Sequence, residues 1–324
     1  MPFIYRSLLL SIAGLAACIL PVHAQTIPEG KQVRIIVPYS AGGTSDILGR
    51  KLAEQLSKRL GRVVIVENKA GAGGSIGTEA TVRAAPDGTT ILLHSGAIAT
   101  EPAIKASLPY DVTKDLAAVT TAVRGPFALL VNNNVPVSSV AELVQYARAN
   151  PDKVNYGTPG VGTSVHFASE YFKSASQAPL THVPYKGASA ALTGLMGGEV
   201  QVVIDPLATA KKYAEASKVK ALAVTTKDRT DLWPEMPTVA ESGVPGFDSA
   251  VWYGLYVPAK TPAATVNLLN ENFVAILKSP EMQEWLTGQG LEAVGNSPKE
   301  SGEQLVTEIQ SWKDLAKTAG IQTQ

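Results

Sequence analysis

Val33-Arg34-Ile35-Ile36-Val37-Pro38-Tyr39-Ser40-Ala41-Gly42-Gly43-Thr44-Ser45-Asp46 is a β-branched run that stops at a proline, turns through two glycines and opens a helix. Leu48, Leu52, Leu56 and Leu60 follow at every fourth position, the apolar stripe of a helix lying on a sheet. The design recurs 119 positions on, Thr44 to Thr163. Val154-Asn155-Tyr156-Gly157-Thr158 leads through Pro159-Gly160-Val161 into Gly162-Thr163-Ser164 and a helix running through Phe172. Glycine lets backbone amides approach a ligand with no Cβ in the way. A helix start adds unpaired N–H groups and partial positive charge. Alone, each turn reads as an ordinary capped strand-to-helix connection; as a facing pair, the two read as an anion site. Neither contains arginine, so a carboxylate there is predicted to rest on backbone and hydroxyl donors.

Outward from these turns the chain alternates strand and helix patterns, the mark of an α/β fold. Val33–Val37, Val63–Val66, Ile91–Leu93, Leu129–Val131, Val200–Ile204 and Ala221–Val224 read as buried strands. Ser139-Val140-Ala141-Glu142 is a capping box whose helix must stop near Asn150, before Pro151. Thr261-Pro262, Ser279-Pro280 and Ser297-Pro298 predict three helix starts in a helical tail, with Gly290 and Gly320 at helix ends. No low-complexity linker interrupts the chain, so two lobes are expected to be joined by more than one crossing.

The 324 residues (34.0 kDa) are 45% apolar and 17% charged, with 28 basic and 28 acidic side chains. That balance argues against a nucleic-acid partner and against a disordered tail. Residues 1–24 read as a signal peptide: Arg6, an apolar run Ser7–Leu20, then Val22-His23-Ala24 as the cleavage site. Leu15-Ala16-Ala17-Cys18 is a competing lipobox-like match, in which Cys18 would carry a lipid anchor. Cleavage after Ala24 is expected, placing the protein in the periplasm and discarding the single cysteine.

Several stretches together resemble the tripartite tricarboxylate transporter receptors, also called Bug or TctC-like proteins. They are Pro38-Tyr39-x-x-Gly42-Gly43-x-x-Asp46, Val66-Glu67-Asn68-x-x-Gly71-Ala72-Gly73-Gly74, Pro86-Asp87-Gly88 and His182-Val183-Pro184-Tyr185-Lys186-Gly187. Pro237-Thr238-Val239-Ala240-Glu241-Ser242-Gly243-Val244-Pro245-Gly246 and Trp252-Tyr253-Gly254-Leu255 complete the set. The resemblance implies a two-lobed, type II-like periplasmic binding protein, each lobe a mixed sheet flanked by helices, with the cleft between lobes. By the same resemblance lobe one is 25–125 plus 247–324, and lobe two is 126–246. It implies a small carboxylate ligand delivered to integral-membrane permease subunits by a monomeric receptor. Ligand contacts carried over fall on Tyr39, Ala41, Gly42 and Gly43 in one lobe. In the other they fall on Gly160, Gly162, Thr163 and Ser164, where the turn is a slight variant.

Ser95 and Asp205 follow buried strands at positions where α/β ligand crevices form, and both join the candidate list. For Asp205 the other reading is a cap on the next helix. Gly71-Ala72-Gly73-Gly74-Ser75-Ile76-Gly77 departs from dinucleotide-binding spacing, with Ile76 where the third glycine belongs; it reads as a structural turn. His166 and Glu170 have metal-ligand spacing without an evident third ligand, so no metal or other cofactor is expected. Tyr185 reads equally as a cover for the ligand or as packing. Trp252 and Tyr253 read as an aromatic pair packing the lobes, in preference to a hinge. The competing function is a secreted hydrolase, with His166 or His182 as base and a nearby Ser or Thr as nucleophile. A third reading makes a sensor kinase the client of the closed receptor.

Overall fold

The structure, a computed structural model, describes residues 27–105 and 107–318. The expected leader, Cys18 and Gly320 lie outside them. Strand β1 (Val33–Val37) is followed by α1 (Thr44–Leu60), β2 (Val64–Asn68), α2 (Ser75–Val82), β3 (Thr90–Ser95), α3 (Ala97–Ile104) and α4 (Val112–Asp115). β4 (Leu116–Val131) carries the chain into α5 (Val140–Ala149), β5 (Asn155–Thr158), α6 (Ser164–Ser176) and β6 (Thr181–Pro184). α7 (Ala188–Gly197), β7 (Val202–Pro206), α8 (Leu207–Glu215) and β8 (Lys220–Val224) come next. The chain returns along β9 (Ala250–Pro258) and ends in α9 (Ala263–Leu277), α10 (Pro280–Gly288), β10 (Glu292–Ala293) and α11 (Pro298–Thr318).

The strand order is β2-β1-β3-β9-β4-β7-β5-β6, with β8 and β10 also paired to β4. β4 is shared. Leu116 to Pro126 pair antiparallel with β9, whereas Phe127 to Val131 pair with β7 and β8. Its 16 residues reach about 50 Å, long enough to serve both halves of the sheet. Each half has its own cores. Leu48, Leu52 and Leu56 of α1 and Leu269 and Phe273 of α9 cover one face of the first half. Ile98 of α3 and Leu305 and Ile309 of α11 cover the other. In the second half, α5 and α6 lie on one face through Leu143, Ala168 and Phe172. On the other face, α7 and α8 pack through Leu192, Leu195, Leu207 and Ala210.

The α/β reading and most elements match expectation, with three corrections. β4 begins at Leu116, not Leu129: its first part is rich in Ala and Thr, and neighbouring strands bury it rather than its own hydrophobicity. β9 takes up Trp252 and Tyr253 as successive residues, which therefore point to opposite faces. Trp252 joins the α3–α11 face and Tyr253 the α1–α9 face, so they are not a packed pair. Thr261 is not a cap, since α9 starts one residue later behind Pro262. Ser279 and Ser297 do cap, accepting from Met282 N–H (3.3 Å) and Glu300 N–H (3.2 Å).

Candidate ligand-binding site

The same path is drawn twice. β1 runs out through α1 to β2, and the chain returns through α2 to β3 on β1's other side. β5 runs out through α6 to β6 and returns through α7 to β7 on β5's other side. Connections therefore diverge between β1 and β3 and between β5 and β7, the switch points outside which open α/β sheets bind ligands. Both glycine-rich turns stand at these points. Continuing the registers Ile36–Leu92 and Gly157–Val203 by two residues sets His94 beside Pro38 and Asp205 beside Pro159.

In the first turn Gly42 adopts φ +85°, and its N–H donates to Asp46 Oδ2 (2.9 Å). Arg50 Nε (3.0 Å) and Asn68 Nδ2 (3.0 Å) also donate to that carboxylate, and Asn68 reaches Tyr39 O (3.1 Å). Burial opposes the charge on Asp46, but the bonds from Arg50, Gly42 and Asn68 hold its pKa below the ordinary value. Gly43, extended and without a side-chain cap, starts α1, so the helix's first amides stay open to solvent or ligand. Ala41, Gly42 and Gly43 are exposed. Tyr39 Oη lies 2.7 Å from Ser95 Oγ and 3.3 Å from His94 Nδ1, so these sequence candidates meet. Burial raises the Tyr39 phenol and pushes His94 down to about 4.

The second turn is tied more tightly. Thr163 caps α6, accepting from His166 N–H (3.2 Å) and donating to Gly160 O (2.9 Å). Gly162 N–H donates to His166 Nδ1 (3.2 Å) and Gly160 N–H to Thr158 Oγ1 (3.3 Å). His182 Nε2 lies 2.7 Å from the same Thr158 hydroxyl. The His182 ring stacks on His166 at 4.3 Å and on Tyr156 at 4.9 Å. Burial pushes both histidines down to about 4, helped for His182 by His166 and for both by Lys173. Thr163's hydroxyl and the amides of Gly160 and Gly162 are thus occupied in building the turn; Ser164 is half-buried beside them.

α3 links the two turns. Its start follows Ser95, and at its end Ile104 Cδ1 lies 2.5 Å from where a Cβ on Gly162 would stand. Eight helical residues span about 12 Å. Beyond this contact Phe167 of α6 meets Trp312 of α11 at 5.1 Å, seating one half on the other. A cavity of about 680 Å³ runs along α11 past Tyr171, Trp252 and Glu308; no residue of either turn lines it.

Asp205 is 1% exposed, and its Oδ2 has no hydrogen-bond partner. Burial alone raises its carboxyl to about 7. It does not cap α8, whose first turn has no side-chain cap. The Gly71–Gly77 stretch is structural: Gly74 backs onto His94, and a Cβ on Gly77 would strike Pro38 at 2.7 Å. Lys105, not singled out from sequence, pins that stretch through Ala72 O (2.6 Å) and also meets Glu101 (3.3 Å). His166 and Glu170 stand 4.0 Å apart, and Glu170 accepts the Tyr156 hydroxyl. Among the described residues no group of three His, Cys, Asp or Glu side chains is placed to hold a metal. Tyr185 packs over Gly157 and Gly194, with its hydroxyl on Glu199 (3.0 Å).

Residues 48–321 match the model of the tripartite tricarboxylate transporter family receptor. BugT of Bordetella pertussis is 33% identical over 313 residues, 96% of this chain and 95% of that protein. R. palustris Rpa4515, solved with adipate, is 35% identical with a TM-score of 0.79, over 91% of this chain and 99% of that one. The periplasmic binding protein BugD is 33% identical with a TM-score of 0.75, over 92% and 100% of the two chains. This is the same architecture along nearly its whole length. The chain belongs to the tripartite tricarboxylate transporter receptor family.

Proposed function

We propose that the protein is a periplasmic receptor that closes two lobes over one small carboxylate and presents it to the permease subunits of a tripartite transporter, without chemistry of its own. The observation that carries this reading is the doubled switch point: two glycine-rich turns, one in each half of a sheet whose halves share β4. The lobes are the two halves, joined near Gly125–Phe127 and near residues 247–250. The first turn offers the open amides of α1 and the Tyr39–Ser95 hydroxyl pair; the second offers Ser164 and a preset glycine frame. Each hydrogen bond to a carboxylate contributes ~1.5–3 kcal/mol, so a few from each side reach the roughly −8 kcal/mol of a micromolar site. That Rpa4515 was solved with adipate supports an organic acid as the ligand class. The hydrolase reading has little support, because Thr158, the hydroxyl beside His182, is fully buried.

The test is thermal: the protein without residues 1–24, melted with a panel of organic and amino acids, should gain stability with one or a few of them. A flat response across the panel overturns the proposal.

A further inference from the structure

Unpaired buried carboxyls are rare because each forfeits the solvation of a polar group. Asp205 stands near the end of β7, two residues beyond the Gly157–Val203 pairing that leads towards the second turn and the second switch point. Alternation along β7 puts it on the Val203 face, next to Ala128 of β4 and among Leu207, Ala210 and Val224. No ionisable side chain on β4, β5, α6, α7 or α8, the elements packed against β7, pairs with it. Tyr156, His166 and Glu170 lie towards the opposite face. Lys211 donates to Leu232 O and Arg124 pairs with Glu292. A carboxylate built to stay ionised would be met by N–H donors or a cation; Asp205 has neither.

Resting on the receptor reading above, we propose that Asp205 acts as a protonated carboxyl donor to an acceptor oxygen at the second end of the ligand. The receptor then selects a diacid, or an acid with a comparable acceptor, over a monoacid and over an α-amino acid. Burial keeps the proton on Asp205 near neutral pH, and an arriving anion holds it more firmly. Binding therefore takes up protons.

The experiment is calorimetry on the protein without residues 1–24. The probes are succinate, glutarate, adipate, butyrate and L-glutamate, at pH 6 and pH 8 in buffers of different ionisation enthalpy. At least one diacid should bind with proton uptake and weaken on the order of tenfold from pH 6 to pH 8. Asp205→Asn, which keeps a donor, should bind that diacid at both pH values with the dependence flattened. Asp205→Ala should bind it about tenfold more weakly at pH 6, with a melting curve confirming the fold. Three results overturn the inference alone: diacid binding insensitive to pH and to both substitutions, butyrate binding as tightly as the diacids, or L-glutamate preferred with proton release. Binding of no acid at all overturns the receptor reading, and this inference with it.

Discussion

His166 holds the Gly162 amide through an unprotonated Nδ1, so the second turn depends on a neutral imidazole. His166→Ala leaves that amide without an acceptor and removes a ring stacked on His182; a loss of ~1–3 kcal/mol is expected in urea unfolding, with weaker ligand binding. His94, His166 and His182 all have folded pKa values near 4, below the unfolded 6.5. Between those values the unfolded chain binds more protons, so their contribution, full above pH 6.5, is lost as pH falls towards 4. Asp205, raised to about 7, and Glu101 and Glu308, also raised by burial, oppose this, whereas Asp46, Asp87 and Asp111, held below their ordinary values, add to the loss as pH nears 4. Stability should therefore fall on acidification from pH 6.5 to pH 4, as urea titrations at stepped pH would show. Which residues stand on the turns was readable from the glycine spacing. What their donors do was not, because that depends on rotamers and on His182, which reaches Thr158 from a separate strand.

Helix α11 starts with a reciprocal cap, Ser297 Oγ accepting from Glu300 N–H while Glu300 takes Ser297 N–H (2.9 Å). Ser297→Ala is expected to lose ~0.5–2 kcal/mol by chemical denaturation, with little effect on affinity. In β9, a Cβ on Gly254 would meet the Tyr256 hydroxyl at 2.6 Å and its ring at 2.8 Å. Gly254→Ala should destabilise by ~1–3 kcal/mol through overpacking, read in the same assay. The same glycine explains why β9 was illegible. Val251-Trp252-Tyr253-Gly254-Leu255 is buried on both faces, so it lacks the alternation that marks a half-exposed strand. β1, with its unbroken β-branched run, and α1, with its leucine stripe, were legible because local pattern and tertiary role agree. Thr261 misled because a hydroxyl before proline fits a cap equally well one residue too early.

Across the whole molecule, Trp312 makes one of the contacts between halves, reaching Phe167 from α11, while Trp285 packs within the first half alone. Ligand-induced closure should change intrinsic fluorescence. Trp312→Phe is expected to remove most of that change and Trp285→Phe to leave it; the opposite pattern would mean that the halves do not move about this contact. β9 sits in the middle of the first half, hydrogen-bonded to β3 on one side and β4 on the other, with Leu92 opposite Tyr256. β1, β2 and β3 can pair among themselves, but an emerging polypeptide has to reach its last quarter before β9 can join them to β4. Assembly is correspondingly slow, and a product stopped before residue 250 would present unzipped strand margins that invite aggregation or proteolysis.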